Sequence, residues 1–167
     1  VYGEESHADL LRHHIQEEIR TEPAFLLHYA RYALQYKIPI GFFGKIVVES
    51  GKDHPPSFNI KEGMMPVVNF ARLYALRHDV TETNTVDRIR SLMELGMLRE
   101  SLHDEALQVY DCLMQLRLEH QADALAHGLP AGNAINLKTL THMKETLLRE
   151  AFAQIAHIQR KISFDFL

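Results

Sequence analysis

A single cysteine in 167 residues excludes an internal disulfide. Its neighbours Leu113 and Leu116 place Cys112 on a helix face rather than in a redox site, and it reads as a buried thiol. No apolar stretch is long enough for a transmembrane span or the core of a signal peptide, so a soluble, cytoplasmic protein without membrane partners is expected. No basic run exceeds two residues and the formal net charge is -4, which argues against a nucleic-acid groove built on phosphate neutralisation and leaves small anionic ligands open. There is no initial methionine; a chain that begins Val-Tyr-Gly is expected to be one piece of a longer polypeptide. Missing as well are the phosphate loop ending in GK[ST], GxGxxG, GxSxG and HExxH. Ser50-Gly51-Lys52 has the letters of a phosphate-loop end, but the upstream glycine is Gly44 and Asp53 follows the lysine. Internal repeats and low-complexity tracts are absent too.

What is present is ordinary globular material, 46% hydrophobic and 24% charged, in a length suited to one domain over 1–167. Helical spacing dominates. Helices are expected near Ser6 to Arg20, with Ser6 as N-cap, and Pro23 to Tyr36, where Phe25, His28, Tyr29, Tyr32, Ala33 and Tyr36 form one stripe. Val67 to His78, following Pro66, repeats the pattern with Val67, Phe70, Ala71, Tyr74 and Ala75. The run TETNT offers caps for a helix from Thr85 to Leu95 that Gly96 ends. A long helix from about Ser101 to His127 carries two stripes, Leu102, Ala106, Val109, Leu113 and Leu116, and Leu107, Tyr110, Met114 and Leu118. Being apolar on two sides, it is expected at the centre. Gly128 closes it, GLPAGNAIN reads as loop, and a last helix from about Thr139 to Phe164 points Leu140, Met143, Leu147, Ala151, Ile155, Ile158 and Ile162 inward. Between the second and third helices, residues 37 to 62 are broken by Pro39, Gly41, Gly44, Gly51, Pro55 and Pro56, leaving an irregular arm with at most a short strand at Phe42 to Val48. The fold class is all-α, a bundle of about six helices.

Eleven histidines invite a metal reading, but only Glu100 to His103 has the Glu-x-x-His spacing of a helical di-metal site, and His13-His14 point to different faces. No metal site is expected. Cations embedded in apolar faces carry more information: Arg72 on the Val68 to Leu76 row, Arg88 one turn into the Thr85 helix, and Arg117 between Leu116 and Leu118. Each needs a carboxylate, carbonyls or an external anion. Asp87, Glu94, Asp111 and Glu119 are available as internal partners, and for any one arginine taken alone that pairing is the commoner outcome. Gln121 lies one turn after Arg117, and Gln159 one turn after Ile155; either could read a base or ribose, or tie helices together. Thr83, Asn84 and Thr85 read as helix caps rather than ligand contacts. Lys61, in the arm just ahead of the Val67 helix, is a cation where a helix dipole prefers an acid; Glu62 beside it supplies that acid.

Taken together, FNIKEGMMPVVNFARLYAL, TNTVDRIRSL, LRLEHQ and LREAFAQIAHIQRKI, in this order across about residues 20 to 165, resemble the nucleotidyltransferase substrate-binding domain family. The resemblance implies a helical domain following a nucleotidyltransferase-like domain, often with CBS or cyclic-nucleotide-binding modules upstream. It extends to protein-PII uridylyltransferase and glutamine-synthetase adenylyltransferase, although Met64 and Met65 stand where those enzymes have glycines. The Gly-Ser turn and paired aspartates that hold magnesium in the family's catalytic part do not occur here, so magnesium and a nucleoside triphosphate are expected at the linked domain and no cofactor in this chain. The implied role is one wall of a cleft that presents Lys61, Arg72, Arg88, Arg117 and Gln121 to nucleotide or acceptor. The competing expectation is a non-enzymatic interaction module relaying signals or forming homo-oligomers through an apolar helix face.

Overall fold

The computed structural model describes residues 5–22, 24–38, 41, 46 and 57–167. Among them are six α-helices: α1 Glu5–Thr21, α2 Ala24–Ala33, α3 Ile60–Arg77, α4 Thr85–Glu94, α5 Glu100–Ala126 and α6 His142–Phe166. Two three-residue strands, β1 Ser57–Asn59 and β2 Ala134–Asn136, pair antiparallel with Phe58 opposite Ile135. The architecture is the all-α bundle that the periodicity predicts, with long helices α5 and α6 packed on each other. Shorter α3 packs against both and also touches α2 and α4. That position explains why α3 buries Ile60, Met64, Val67, Phe70 and Leu73 on more than one side. Phe70 and Phe152 are the largest fully buried side chains, each worth on the order of 1.5–3 kcal/mol in area removed from water.

The start of α3 differs from the sequence expectation. Lys61 is not on an irregular approach: the helix begins at Ile60, and the arm expected to reach 62 gives way to β1 at Ser57. Asn59 is the reason. Its Oδ1 accepts from the backbone N–H of Lys61 at 3.1 Å and of Glu62 at 3.4 Å, while its Nδ2 donates to Glu62 Oε1 at 2.9 Å, a reciprocal cap. Pro66, read as a boundary, lies inside the helix and is buried; one missing N–H is tolerated where the surrounding side chains pack this tightly. β2 sits within the segment expected to be plain loop, and the Ile60 N–H donates to the Asn133 carbonyl at 2.9 Å, so the start of α3 is fastened to the α5–α6 connection. Gly96 and Gly128 both have φ of +71, the left-handed conformation that ends α4 and α5.

Three stripes are corrected. On α2, Phe25 and Tyr32 are exposed and the rings of Phe25, Tyr29, Tyr32 and Tyr36 run as a ladder along the rim, because Ala30 and Ala33 take the inward positions. On α5 the second stripe is half-buried at Leu107, Tyr110 and Met114 and exposed at Leu118, where the helix outruns its neighbours. On α6 Met143 and Leu147 are exposed and Leu148 and Phe152 are buried instead, because the row that meets α5 and α3 is offset by one residue over its first turns. Pro23, Pro39 and the expected strand or arm at Phe42 to Val48, apart from Ile46, lie outside the described residues.

The end of α6 is pinned to α3. Tyr74 donates to Asp165 Oδ2, Lys161 Nζ lies 2.6 Å from both Asp165 oxygens, and the Arg77 guanidinium sits 4.8 Å from the centre of the Phe166 ring. Burial would push the Asp165 carboxyl up, but the hydrogen bonds from Lys161 and Tyr74 outweigh it and hold the pKa below its ordinary value. Burial and the same hydrogen bond push Tyr74 far up.

Candidate functional site

α4 is placed by its own amphipathicity. Asn84 caps it by accepting from the Asp87 N–H at 2.8 Å, and Thr85, Ile89 and Leu92 turn inward. Arg88, between Thr85 and Ile89 in sequence but roughly a sixth of a turn off the buried row, is thereby held on the flank near Arg72 of α3. Both arginines line a cavity of about 130 Å³ whose opposite wall is α1, through Arg12, Ile15 and Gln16. Arg12 pairs with Asp9 at 2.7 Å. Among the described residues neither Arg72 nor Arg88 has an ion pair or side-chain hydrogen bond; Asp87, the nearest acid in sequence, turns to Asn84 and Arg90 instead. Glu82 is the acidic residue on the described lining.

The electrostatic result is a strained pair of like charges. Half-burial lowers the Arg88 pKa from its ordinary value and the positive charge of Arg72 lowers it further, with Tyr29 acting in the opposite sense. Tyr29 in turn donates to Asn69 Oδ1 at 3.3 Å, and Asn69, fully buried, has no acceptor for its Nδ2. Neither guanidinium group is ion-paired among the described residues, so both keep donors free for an acceptor with several oxygens.

Arg117 and Gln121 meet elsewhere. Arg117 Nε donates to Asn133 Oδ1 at 2.9 Å, and Gln121 Nε2 lies 3.3 Å from the same oxygen and 3.4 Å from the Gly132 carbonyl. The acid partners available to Arg117 are not used. Asn133 is the residue whose carbonyl holds the start of α3, so Lys61, exposed in the first turn of α3, belongs to this end of the bundle. Lys61 and Arg72 are eleven residues apart, three turns on one face and about 16 Å along the axis. The five nominated residues therefore form two groups joined by α3: Arg72 with Arg88 on the cavity, and Arg117 with Gln121 on Asn133 near Lys61. Sequence reasoning missed Arg12 and Asn133. Arg12 had no apolar setting to mark it, and Asn133 lay in what read as loop.

Gln159 ties elements together, donating to the Tyr36 carbonyl at 2.8 Å. Cys112 is half-buried on α5, its thiol pushed up by burial and by the nearby Glu150. Among the described residues no group of three or more His, Cys, Asp or Glu side chains is placed to hold a metal ion, and no helix is long and apolar enough to cross a membrane.

The fold is thus an all-α bundle with a cavity lined by two arginines that have no ion pair among the described residues. The chain belongs to the family described as "putative nucleotidyltransferase substrate binding domain", whose model matches residues 23–166, from the start of α2 to the end of α6. No curated protein and no solved structure matches the chain significantly.

Proposed function

We propose that this chain is the accessory substrate-binding domain of a nucleotidyltransferase-like signalling protein of the uridylyl- or adenylyl-transferring type, in which Arg72 and Arg88 receive the anionic part of the nucleotide or acceptor. The observation that carries the reading is the pair itself: two like charges, Arg88 half-buried and Arg72 exposed, lining one cavity in which neither is ion-paired to an acid, Glu82 included, among the described residues. Such an arrangement is disfavoured in the free domain and is relieved by an anion, which is how binding energy is stored for a ligand. Lys61, Arg117 and Gln121 then border the same ligand or its acceptor from the far end of α3. Magnesium and the attacking chemistry belong to the linked catalytic domain, with CBS or cyclic-nucleotide-binding modules upstream as sensors; this chain binds and orients.

The test is thermal shift of the chain and of the longer protein with each nucleoside triphosphate, with and without magnesium. At about a hundred times the dissociation constant a ligand adds roughly 2.7 kcal/mol, or about 5–10 °C for a domain of this size. R72Q/R88Q should lower the shift, removing the part that binding at this cavity contributes. An unchanged shift in that variant would overturn the assignment, whereas a shift present only in the longer protein would support a composite site.

The exposed apolar side chains Leu118 and Leu125 on α5 and Met143 and Leu147 on α6 favour a second reading, a helical interaction module. Mass that rises with concentration, together with no response to any nucleotide in either protein, would select it.

A further inference from the structure

The turn that follows α2 packs across the middle of α6 and leaves a second cavity of about 700 Å³, on a side of the bundle that shares no lining residue with the Arg72 and Arg88 cavity. Its position follows from α6. Arg149, Ala153, Ala156 and Arg160 recur at intervals of four, three and four residues, so one face of the helix carries an arginine at each end and alanines between. The small side chains make the depression; Leu34 and Ile38, from the turn, supply the rest of an apolar floor. Lys37 brings a third cation from the same turn, and no acidic side chain is among the described lining residues.

Among the described residues these cations are at most weakly neutralised by the fold. Lys37 and Arg160 are exposed and make no ion pair among the described residues. Arg149 reaches Glu145 only at 3.9 Å, beyond hydrogen-bond distance, and its Nε is buried without any acceptor. A buried guanidinium donor with nothing to donate to is costly, and here it lies at the edge of a cavity of the size that small molecules occupy. Gln159 is held by the Tyr36 carbonyl, which fixes the turn against α6 and keeps the cavity formed in the free chain.

We infer that this α2–α6 cavity is a second ligand site, for a small organic anion that carries at least two negative charges on a flat or apolar body, as a nucleoside polyphosphate does. The body lies on Ala153, Ala156, Leu34 and Ile38; the charges meet Lys37, Arg149 and Arg160. A purely inorganic polyanion offers the same charge without the body and is the competing source. The site requires nothing of Arg72 and Arg88, so it stands or falls apart from the function proposed above.

The experiment is calorimetric titration of the 167-residue chain with ATP and, separately, with tripolyphosphate, at low salt and without metal. Three proteins are compared: wild type, R72Q/R88Q and K37Q/R160Q. Lys37 and Arg160 are exposed, so K37Q/R160Q keeps the fold; circular dichroism confirms it. The expected result is that R72Q/R88Q still binds ATP, that K37Q/R160Q weakens this component about tenfold or more for each charge removed, and that tripolyphosphate binds several-fold more weakly than ATP. Loss of all ATP binding in R72Q/R88Q, or binding that K37Q/R160Q leaves unchanged, overturns the second site while leaving the first intact. Tripolyphosphate binding as tightly as ATP overturns the role of the apolar floor and makes this a site for inorganic polyanions.

Discussion

Replacing Arg88 with methionine should stabilise the protein, which is the reverse of what loss of a half-buried arginine ordinarily does. Where such an arginine is paired with a buried acid, removing it leaves the acid uncompensated and costs about 3–5 kcal/mol. Here no acid is ion-paired to Arg88 among the described residues, so none loses a partner, methionine keeps an aliphatic stem, and the repulsion from Arg72 disappears. A partly solvated like-charge contact is worth a few tenths of a kcal/mol to about 1 kcal/mol, and relief of desolvation adds to it in the same direction. R88M should therefore raise Tm by about 1–4 °C. Calorimetric or fluorescence melts at low and high salt give a second readout, because screening weakens the repulsion in the wild type and has nothing to weaken in the variant. The gap between the two proteins should shrink as sodium chloride rises from about 0.05 to 0.5 M. A fall in Tm of several degrees on R88M, or a gap that salt does not touch, would show that Arg88 is satisfied inside the fold and would remove the basis for an anion seat.

Asp165 offers a pH test. Its pKa is held below the ordinary aspartate value of ~3.9, so its stabilisation is complete above that value and is lost as pH falls through the lowered one. D165N, which leaves Lys161 without its ion pair, should cost ~1–2 kcal/mol at pH 7 and progressively less toward pH 3; melting curves that keep a constant separation across that range would contradict the assignment. Gly63, in the second half of the first helical turns of α3, has room for a methyl group, since an added Cβ would meet Phe152 Cε1 at 3.5 Å and Phe58 Cε2 at 3.8 Å, ordinary contact distances. G63A should raise Tm by about 2–4 °C through helix propensity, and a lowered Tm in urea-free melts would mean the two rings cannot accept the contact.

Much of the helical architecture is legible in the sequence because α4, α5 and α6 each keep a long 3.6-residue period that core burial enforces, and glycine marks two of the ends. Starts are less legible where two signals compete. Pro66 is a strong breaker by rule, yet Asn59 and Glu62, both ahead of it, together form a reciprocal cap, and tertiary packing around Ile60 and Met64 lets the cap prevail. The ribbon of β1 and β2 is invisible at this level: three residues are too few to show alternation, and Phe58 and Ile135 are separated in the sequence by α3, α4 and α5. Individual cations in apolar rows could be named from the sequence. Which of them face one another could not, since the meeting of Arg72 and Arg88 depends on how α4 leans on α3, and the meeting of Arg117 and Gln121 depends on one asparagine in a connecting segment.

α1 lies ahead of the span that the family model matches, and among its described residues only Ile19 is buried, while Leu10 and Leu11 face outward. It is fastened near its end by Arg20 to Asp79 at 2.6 Å, an exposed pair of small worth. A helix so lightly attached exchanges its amide protons through its own detachment rather than through unfolding of the whole domain. Since that helix forms one wall of the cavity that Arg72 and Arg88 line, its lifting away would bare that side of the cavity to bulk water without disturbing α3 or α4.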